Sequence, residues 1–249
     1  STTAFAADFK YYVNPKKRRY KDAFGVGVVF ASDRLAEFNY SVNQIMVGGA
    51  FHKALDPKNN QTLSLGFQLG VVQRNVSYDQ LSFEDAFDGT AIYVDGASAE
   101  ALPANNYAFG DYQLGLNYAY SPKNKAAVFL GVAIHHFNQP EQSFYAEITQ
   151  GEVTQTLYRR YSGYVNFRLP VGWNVELSPR VYAYMQGPHL VTSAGSNLRF
   201  LLDESNAAAL HLGAYVRGVG NDAGYGVDSA VSMFGIEFNS FLIGMSYDI

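Results

Sequence analysis

No cysteine occurs in the 249 residues, which removes disulfide frameworks, thiolate nucleophiles and Cys-based zinc sites from consideration. Charge is scarce: Asp, Glu, Lys and Arg make up 16% of the chain, against roughly 25% in an ordinary soluble domain. So few charges leave a globule's surface poorly solvated. Proline is sparse at 8 residues and tryptophan occurs once. The longest purely apolar stretch, Ala126 to Ile134, falls far short of the roughly 20 residues that a membrane-spanning helix needs. A chain of this kind crosses a membrane as strands or not at all. Residue 1 opens directly into strand-like alternation rather than a basic-then-apolar leader, as expected of a mature or truncated chain. A net charge of −4 with no long basic run argues against a nucleic-acid partner.

What is present is 23 Gly, 19 Tyr and 18 Phe in a chain that is 48% hydrophobic, a mixture suited to many strands joined by turns. The informative signal is period-two alternation, because successive side chains of a strand point to opposite faces. Between Thr62 and Arg74 one face carries Leu63, Leu65, Phe67, Leu69 and Val71, and the other carries Thr62, Ser64, Gly66, Gln68, Gly70 and Arg74. A soluble core would set its apolar face against a charged one. Here the second face is small, neutral and glycine-dotted, as a lumen wall is. The same grammar returns where Asn174, Glu176, Ser178, Arg180, Tyr182, Tyr184 and Gln186 oppose Val175, Leu177, Val181 and Met185. It recurs where Asp111, Gln113, Gly115 and Asn117 oppose Tyr112, Leu114 and Leu116, and where Arg160, Ser162, Tyr164, Asn166 and Arg168 oppose Tyr161, Val165 and Phe167.

The pattern predicts twelve strands, at 2–13, 22–31, 40–53, 61–76, 108–120, 126–137, 157–169, 173–186, 189–202, 207–219, 228–238 and 240–249. The fold class expected is all-β, a transmembrane antiparallel up-and-down β-barrel forming one domain over residues 1–249. Such a sheet must close, since an unpaired backbone group in hydrocarbon costs several kcal/mol. Every second connection is short and turn-coded, as at Asp56-Pro57-Lys58-Asn59-Asn60 and Ser121-Pro122-Lys123-Asn124-Lys125. The intervening ones, 32–39, 77–107, 138–156 and 220–227, are longer, with Gly187-Pro188 the exception. Outer-membrane barrels pair short periplasmic turns with longer outer loops, so this parity puts Lys16-Lys17-Arg18-Arg19 on the periplasmic side. It also leaves the first strand running down and the last running up, and the expectation is a barrel of about fourteen strands whose first and last lie outside this sequence.

The stretches Gly48-Gly49-Ala50-Phe51-His52-Lys53-Ala54-Leu55, Asn60-Gln61-Thr62-Leu63-Ser64-Leu65-Gly66-Phe67-Gln68 and Leu81-Ser82-Phe83-Glu84-Asp85-Ala86-Phe87-Asp88-Gly89 resemble the PorP/SprF family. These are outer-membrane proteins associated with the type IX secretion system of Bacteroidota. Further matches are His136-Phe137-Asn138-Gln139-Pro140-Glu141-Gln142-Ser143-Phe144, Arg159-Arg160-Tyr161, Gln186-Gly187-Pro188-His189 and Gly244-Met245-Ser246-Tyr247-Asp248-Ile249, in the family's order. The family's Asn-Pro-containing N-terminal stretch and further C-terminal strand are not in this sequence. The resemblance implies a role in secretion, or in surface anchoring of type IX cargo such as adhesins and gliding-motility proteins held through their C-terminal domains. Its implied partners are that cargo, other secretion or motility components, and outer-membrane lipid.

Candidate chemistry is thin. His135 and His136 are adjacent, so in a regular strand they face opposite ways and do not share a metal; a rim histidine is the plain reading. Glu84, Asp85 and Asp88, with Asp79 and Asp95, form an acidic loop without an ordered calcium pattern. No nucleotide loop, paired-carboxylate motif or Ser/His/Asp arrangement stands out, so no catalytic, metal or cofactor residues are assigned and no enzyme is expected. On the inferred lumen face Arg74, Arg160, Arg168, Arg180, Arg199 and Arg217 outnumber Asp111, Glu176 and Asp248. This suits an anion-favouring pore, a seat for an acidic peptide, or an interior salt-bridge ladder. Tyrosine and phenylalanine near strand ends read as interface girdles. For partner binding the candidates are Asn138, Gln139, Pro140 and Gln142, Arg159 and Arg160, and Gly187, Pro188 and His189, because loops on a rigid barrel are where function tends to sit. Three functions follow: a cargo anchor or translocon component, a porin or transporter for small anions or hydrophobic compounds, and a structural barrel contacting periplasmic proteins through Lys16 to Arg19.

Overall fold

The computed structural model describes residues 2–16, 18–35, 40–78, 87, 89, 104–144, 156–203, 208–222, 224–239 and 241–249. Twelve strands run in order: β1 Thr2–Tyr12, β2 Ala23–Leu35, β3 Tyr40–Ala54, β4 Gln61–Asn75, β5 Asn106–Tyr120, β6 Ala127–His135, β7 Arg160–Pro170, β8 Val175–Gln186, β9 His189–Asp203, β10 Ala208–Asn221, β11 Gly224–Phe238 and β12 Phe241–Asp248. They form one antiparallel sheet in sequential order β1 to β12, the up-and-down arrangement that the alternation predicts. Among the described residues β1 and β12 are each paired on one side only, so the sheet is not closed by a β1–β12 ladder.

The sheet is curled. One cavity of about 760 Å³ is lined by Lys10 on β1, Gly48 on β3, Gln68 on β4, Asn117 on β5, Tyr164 on β7 and Tyr182 on β8. At about 4.8 Å per strand a flat sheet would hold β1 and β8 about 34 Å apart, so these side chains share one space only because the wall is concave. Register fixes what faces it. Gln68 sits opposite Gly48 on one side and Gln113 on the other, Gln113 opposite His135, and His135 opposite Arg160. Polar and small residues thus line up around the inside.

The other face is apolar and uncovered: Leu65 is 55% exposed, Ile45 54% and Val132 61%. Among the described residues buried apolar side chains are few and small, the largest being Met46, and they form no conventional core. Burying a leucine or phenylalanine is worth about 1.5–3 kcal/mol, and hydrocarbon rather than water is the solvent that stabilises such an outer face. Aromatics gather toward its two margins. Phe24 packs on Phe51 at 5.0 Å toward one end, and Tyr112 on Phe137 at 5.8 Å toward the other.

The turn end is tied together by side chains that satisfy backbone groups. Asp56 accepts from the Gln61 amide at 2.7 Å and the Lys58 amide at 3.2 Å, an Asx-type closure, while Asn59 takes a left-handed φ of 59°. Asn59 then reaches back to the β1–β2 hairpin, accepting from the Lys21 amide at 2.7 Å and donating to the Arg18 carbonyl at 3.0 Å. The Ser121 amide donates to the Asn60 carbonyl at 2.7 Å, and Arg168 donates to the Ser121 hydroxyl at 2.9 Å. Four hairpins are thereby joined at one rim.

Three expectations are corrected. The β10–β11 connection is not the longer loop 220–227: β10 runs to Asn221 and β11 starts at Gly224. A bulge lets this happen, since Arg217 pairs with Ser229 but Gly218 with Val227, leaving Asp228 as the extra residue. Likewise β2 extends to Leu35, shortening 32–39 to 36–39, so long connections at that end are confined to β4–β5 and β6–β7. Finally, β6 stops at His135 because His136 adopts a φ of 55°. The residues Asp79, Glu84, Asp85, Asp88 and Asp95, and 145–155 of the second long connection, lie outside the described residues, as do Lys17 and 204–207.

Candidate functional site

Register puts Arg74, Asp111, Arg160, Arg168, Glu176, Arg180, Arg199 and Arg217 on the concave face, with their charges resolved in two different ways. Arg199 donates from Nε and Nη2 to both oxygens of Glu237, at 2.8 and 3.0 Å, and His211 holds the same carboxylate at 2.8 Å. Arg217 donates to Asp228 at 2.7 Å and Asp248 at 2.8 Å. It reaches both because the bulge turns Asp228 toward the lumen. Arg168 lies 3.8 Å from Glu176, a looser pair. To this extent the interior is a ladder of ion pairs.

Arg74, Arg160 and Arg180 are different. Among the described residues none has a carboxylate within ion-pair reach. Instead each guanidinium lies over a ring: Arg74 over Phe109 at 5.8 Å, Arg160 over Tyr184 at 5.6 Å and Arg180 over Tyr215 at 5.9 Å. Cation–π contact holds a guanidinium flat and leaves its N–H edge free for a ligand. The local sequence makes room for this. Arg180, Gly195 and Tyr215 are register partners across β8, β9 and β10, and a Cβ on Gly195 would collide with the Tyr215 ring. Glycine on the middle strand therefore lets tyrosine lie across it toward the arginine. Gly131 serves Tyr164 in the same way, and Tyr164 hydrogen-bonds Asn117 two strands away.

Toward the loop end a second network fills the wall. His135 contacts the Gln113 side-chain oxygen Oε1 at 2.7 Å through Nδ1 and the Ser162 hydroxyl at 2.9 Å through Nε2. His136 contacts the fully buried Asp111 at 2.8 Å. The two histidines do not diverge as strand neighbours would. The left-handed turn at His136 brings it back to the lumen side, with ring centroids 6.4 Å apart. Among the described residues no group of three or more His, Cys, Asp or Glu is arranged to hold a metal.

The partner-binding candidates are brought together at the loop end of β5 to β9, though several spend their polar groups on the loop itself. Asn138 donates to the Gly110 carbonyl at 2.8 Å and Arg159 to the Phe137 carbonyl at 3.1 Å. Gln139 turns the chain with a φ of 46°, Pro140 is buried, and its carbonyl accepts from the Leu157 amide at 2.9 Å. Phe144 then packs edge-on against Tyr107 of β5 at 4.6 Å, so the start of this connection crosses back over β5. Gly187 takes a φ of 56° against the Tyr158 ring, and Gln186 donates to the Tyr158 carbonyl at 3.1 Å. Pro188 and His189 are exposed beside them, and Arg160 faces inward below.

Glu237, Asp228 and His211 were not singled out by sequence. Apolar Val231 and Met233 share the concave face of β11 and blur its alternation, and Asp228 changes face only through the bulge. Glu237 is in register with Ala209 rather than with His211, so its approach to His211 and Arg199 runs diagonally across β10.

A curled, up-and-down antiparallel sheet with an apolar outside and a polar, arginine-bearing inside defines the wall of a transmembrane β-barrel. Among the described residues no helix is long and apolar enough to cross a membrane. The family model described as type IX secretion system membrane protein PorP/SprF matches residues 1–249. The chain belongs to that family. Comparison with curated proteins found no match.

Proposed function

We propose that this chain forms an outer-membrane barrel whose loop end holds the C-terminal domain of a secreted type IX cargo protein at the cell surface. Its role is that of a binding and secretion component rather than a catalyst. The observation that carries this reading is the loop-end platform. Segments 136–144, 156–160 and 186–189 come from two connections and are fastened to β5 and to one another by Asn138, Arg159, Gln186 and the buried Pro140. A platform so fastened is pre-organised, which lowers the ordering cost of holding a partner. Family membership supplies the secretion context. The remaining partners on this reading are other type IX or motility components and outer-membrane lipid.

The test is a mild-detergent pull-down of the tagged barrel from native membrane, with and without loop 138–157 shortened. The expected result is a large secreted protein that co-purifies and is lost with the loop. A barrel that emerges alone would overturn the anchor reading. A porin or transporter for small anions is favoured by one observation, the cavity of about 760 Å³ on a concave face where, among the described residues, Arg74, Arg160 and Arg180 have no carboxylate within ion-pair reach. Single-channel conductance separates the two.

A further inference from the structure

The chain's lysines are segregated. All eight fall before residue 126, in the turns that join β1 to β2, β3 to β4 and β5 to β6 or within the last three residues of the strands leading into them. With Arg18 and Arg19, these three turns carry eight cations against two acids, Asp22 and Asp56. The connections at the opposite end, 36–39, 76–105, 136–159, 187–188 and 222–223, carry eleven acids against one arginine and no lysine. Solvating a turn needs charge of either sign, so a rim of one sign points to a partner of the other.

The two acids are spent on the frame. Asp22 accepts from Lys53 Nζ at 2.8 Å and from the Ala54 amide at 3.0 Å, and Asp56 closes its own turn. Lys16, Arg18, Arg19, Lys58, Lys123 and Lys125 are exposed. Among the described residues none of the six has a carboxylate within ion-pair reach. Asn59 and the Ser121 amide lock the three turns to one another. At about 4.8 Å per strand, β1 to β6 span about 24 Å, a width suited to a protein interface of about 800 Å² per partner.

We infer that these three turns form a docking surface for an acidic face of a periplasmic protein. Anionic lipid headgroups are the other source of negative charge, and the arrangement does not suit them. Lipid surrounds a barrel on every side, whereas the turns after β7, β9 and β11 carry no Lys or Arg. The unpaired cations stand in the turns, past the strand ends. Lys53, which alternation puts on the outward face with Phe51, is already neutralised by Asp22. A fluid headgroup layer also gains nothing from turns locked in one geometry, whereas a folded partner does. The acidic loop end repels the same partner, so charge decides which end it reaches. The inference shares only the barrel's orientation with the anchor reading and adds a second partner at the opposite end.

The experiment is photo-crosslinking in intact cells, with p-benzoylphenylalanine placed in the full-length chain at exposed Ala126, beside Lys125, or at Trp173 on the half of the rim without lysine. A protein adduct is expected at Ala126, through a peptide rich in Asp and Glu, and none at Trp173. In Lys58→Glu/Lys123→Glu/Lys125→Glu the yield should fall by about tenfold or more, since like charges then face each other. Glutamine at the same three positions should give an intermediate loss. Changing the acids of the cross-linked peptide to Lys should restore the adduct to the triple Glu variant. Heat-shifted electrophoretic mobility checks that each variant is folded. No adduct, an adduct with phospholipid alone, or a protein adduct indifferent to charge reversal would overturn the docking surface. Cargo pull-down should be unchanged in the triple variant. Cargo absent from the parent barrel sinks the anchor reading, whereas a missing or charge-indifferent adduct at Ala126 sinks the docking surface alone.

Discussion

Arg199 on β9 grips both oxygens of Glu237 on β11 at 2.8 and 3.0 Å, with β10 running between them and its His211 on the same carboxylate at 2.8 Å. One carboxylate thus braces three strands near the turn end. Glu237→Gln should lower stability by about 1.5 kcal/mol, the low end for hydrogen bonds to a charged group, since the pair remains partly open to the lumen. Urea unfolding in lipid vesicles, followed by loss of heat-shifted mobility, measures it. An unchanged midpoint would mean that the clamp contributes nothing.

Gly195 makes a second, sterically founded prediction. A Cβ there would collide with the Ala214 carbonyl and the Tyr215 ring, so Gly195→Ala forces the ring off its place over Arg180. Overpacking of this kind costs about 1–3 kcal/mol, and the folded fraction recovered in vesicles should drop. Gly226→Ala is the control, because a Cβ there meets nothing within 4 Å. Equal yields for the two variants would contradict the packing described.

Trp173, the chain's single tryptophan, is fully exposed in the β7–β8 turn beside exposed Val171. Amphipathic rings at a barrel's margin sit at headgroup level. In vesicles its emission should be blue-shifted from the aqueous position, and lipids brominated near the headgroup should quench it more than lipids brominated near the chain ends. A water-like spectrum unaffected by either lipid would remove this turn from the interface.

Much of this architecture was legible because the bilayer and the lumen impose opposite solvents on alternate residues. Leu63, Leu65, Phe67, Leu69 and Val71 declare one face of β4 without tertiary help, whereas β11, with Val231 and Met233 on its concave face, alternates less cleanly. The misses have local causes. Asp228 is turned to the lumen by one bulged residue, which alternation cannot foresee, and the same bulge hid the short β10–β11 hairpin. His136 departs from its expected face because a positive φ ends the strand one residue before it. At the candidate site the arginines could be assigned to a face, but not to partners. Whether Arg199 meets Glu237 depends on stagger between strands two apart, and whether Arg74 lies over Phe109 depends on a diagonal between neighbouring strands. The packing of Phe144 on Tyr107 depends on how a connection folds over β5, and periodicity carries no trace of that.

The absence of native cysteine makes one measurement especially clean. Single cysteines placed at Pro188, on the loop end, and at Lys123, on the turn end, can be challenged on intact cells with a membrane-impermeant maleimide, with no background from the parent chain. The account predicts that Pro188→Cys is labelled at once and that Lys123→Cys is labelled only after the outer membrane is permeabilised. Labelling of Lys123→Cys on intact cells, with Pro188→Cys protected, would turn the platform toward the periplasm and contradict a surface anchor.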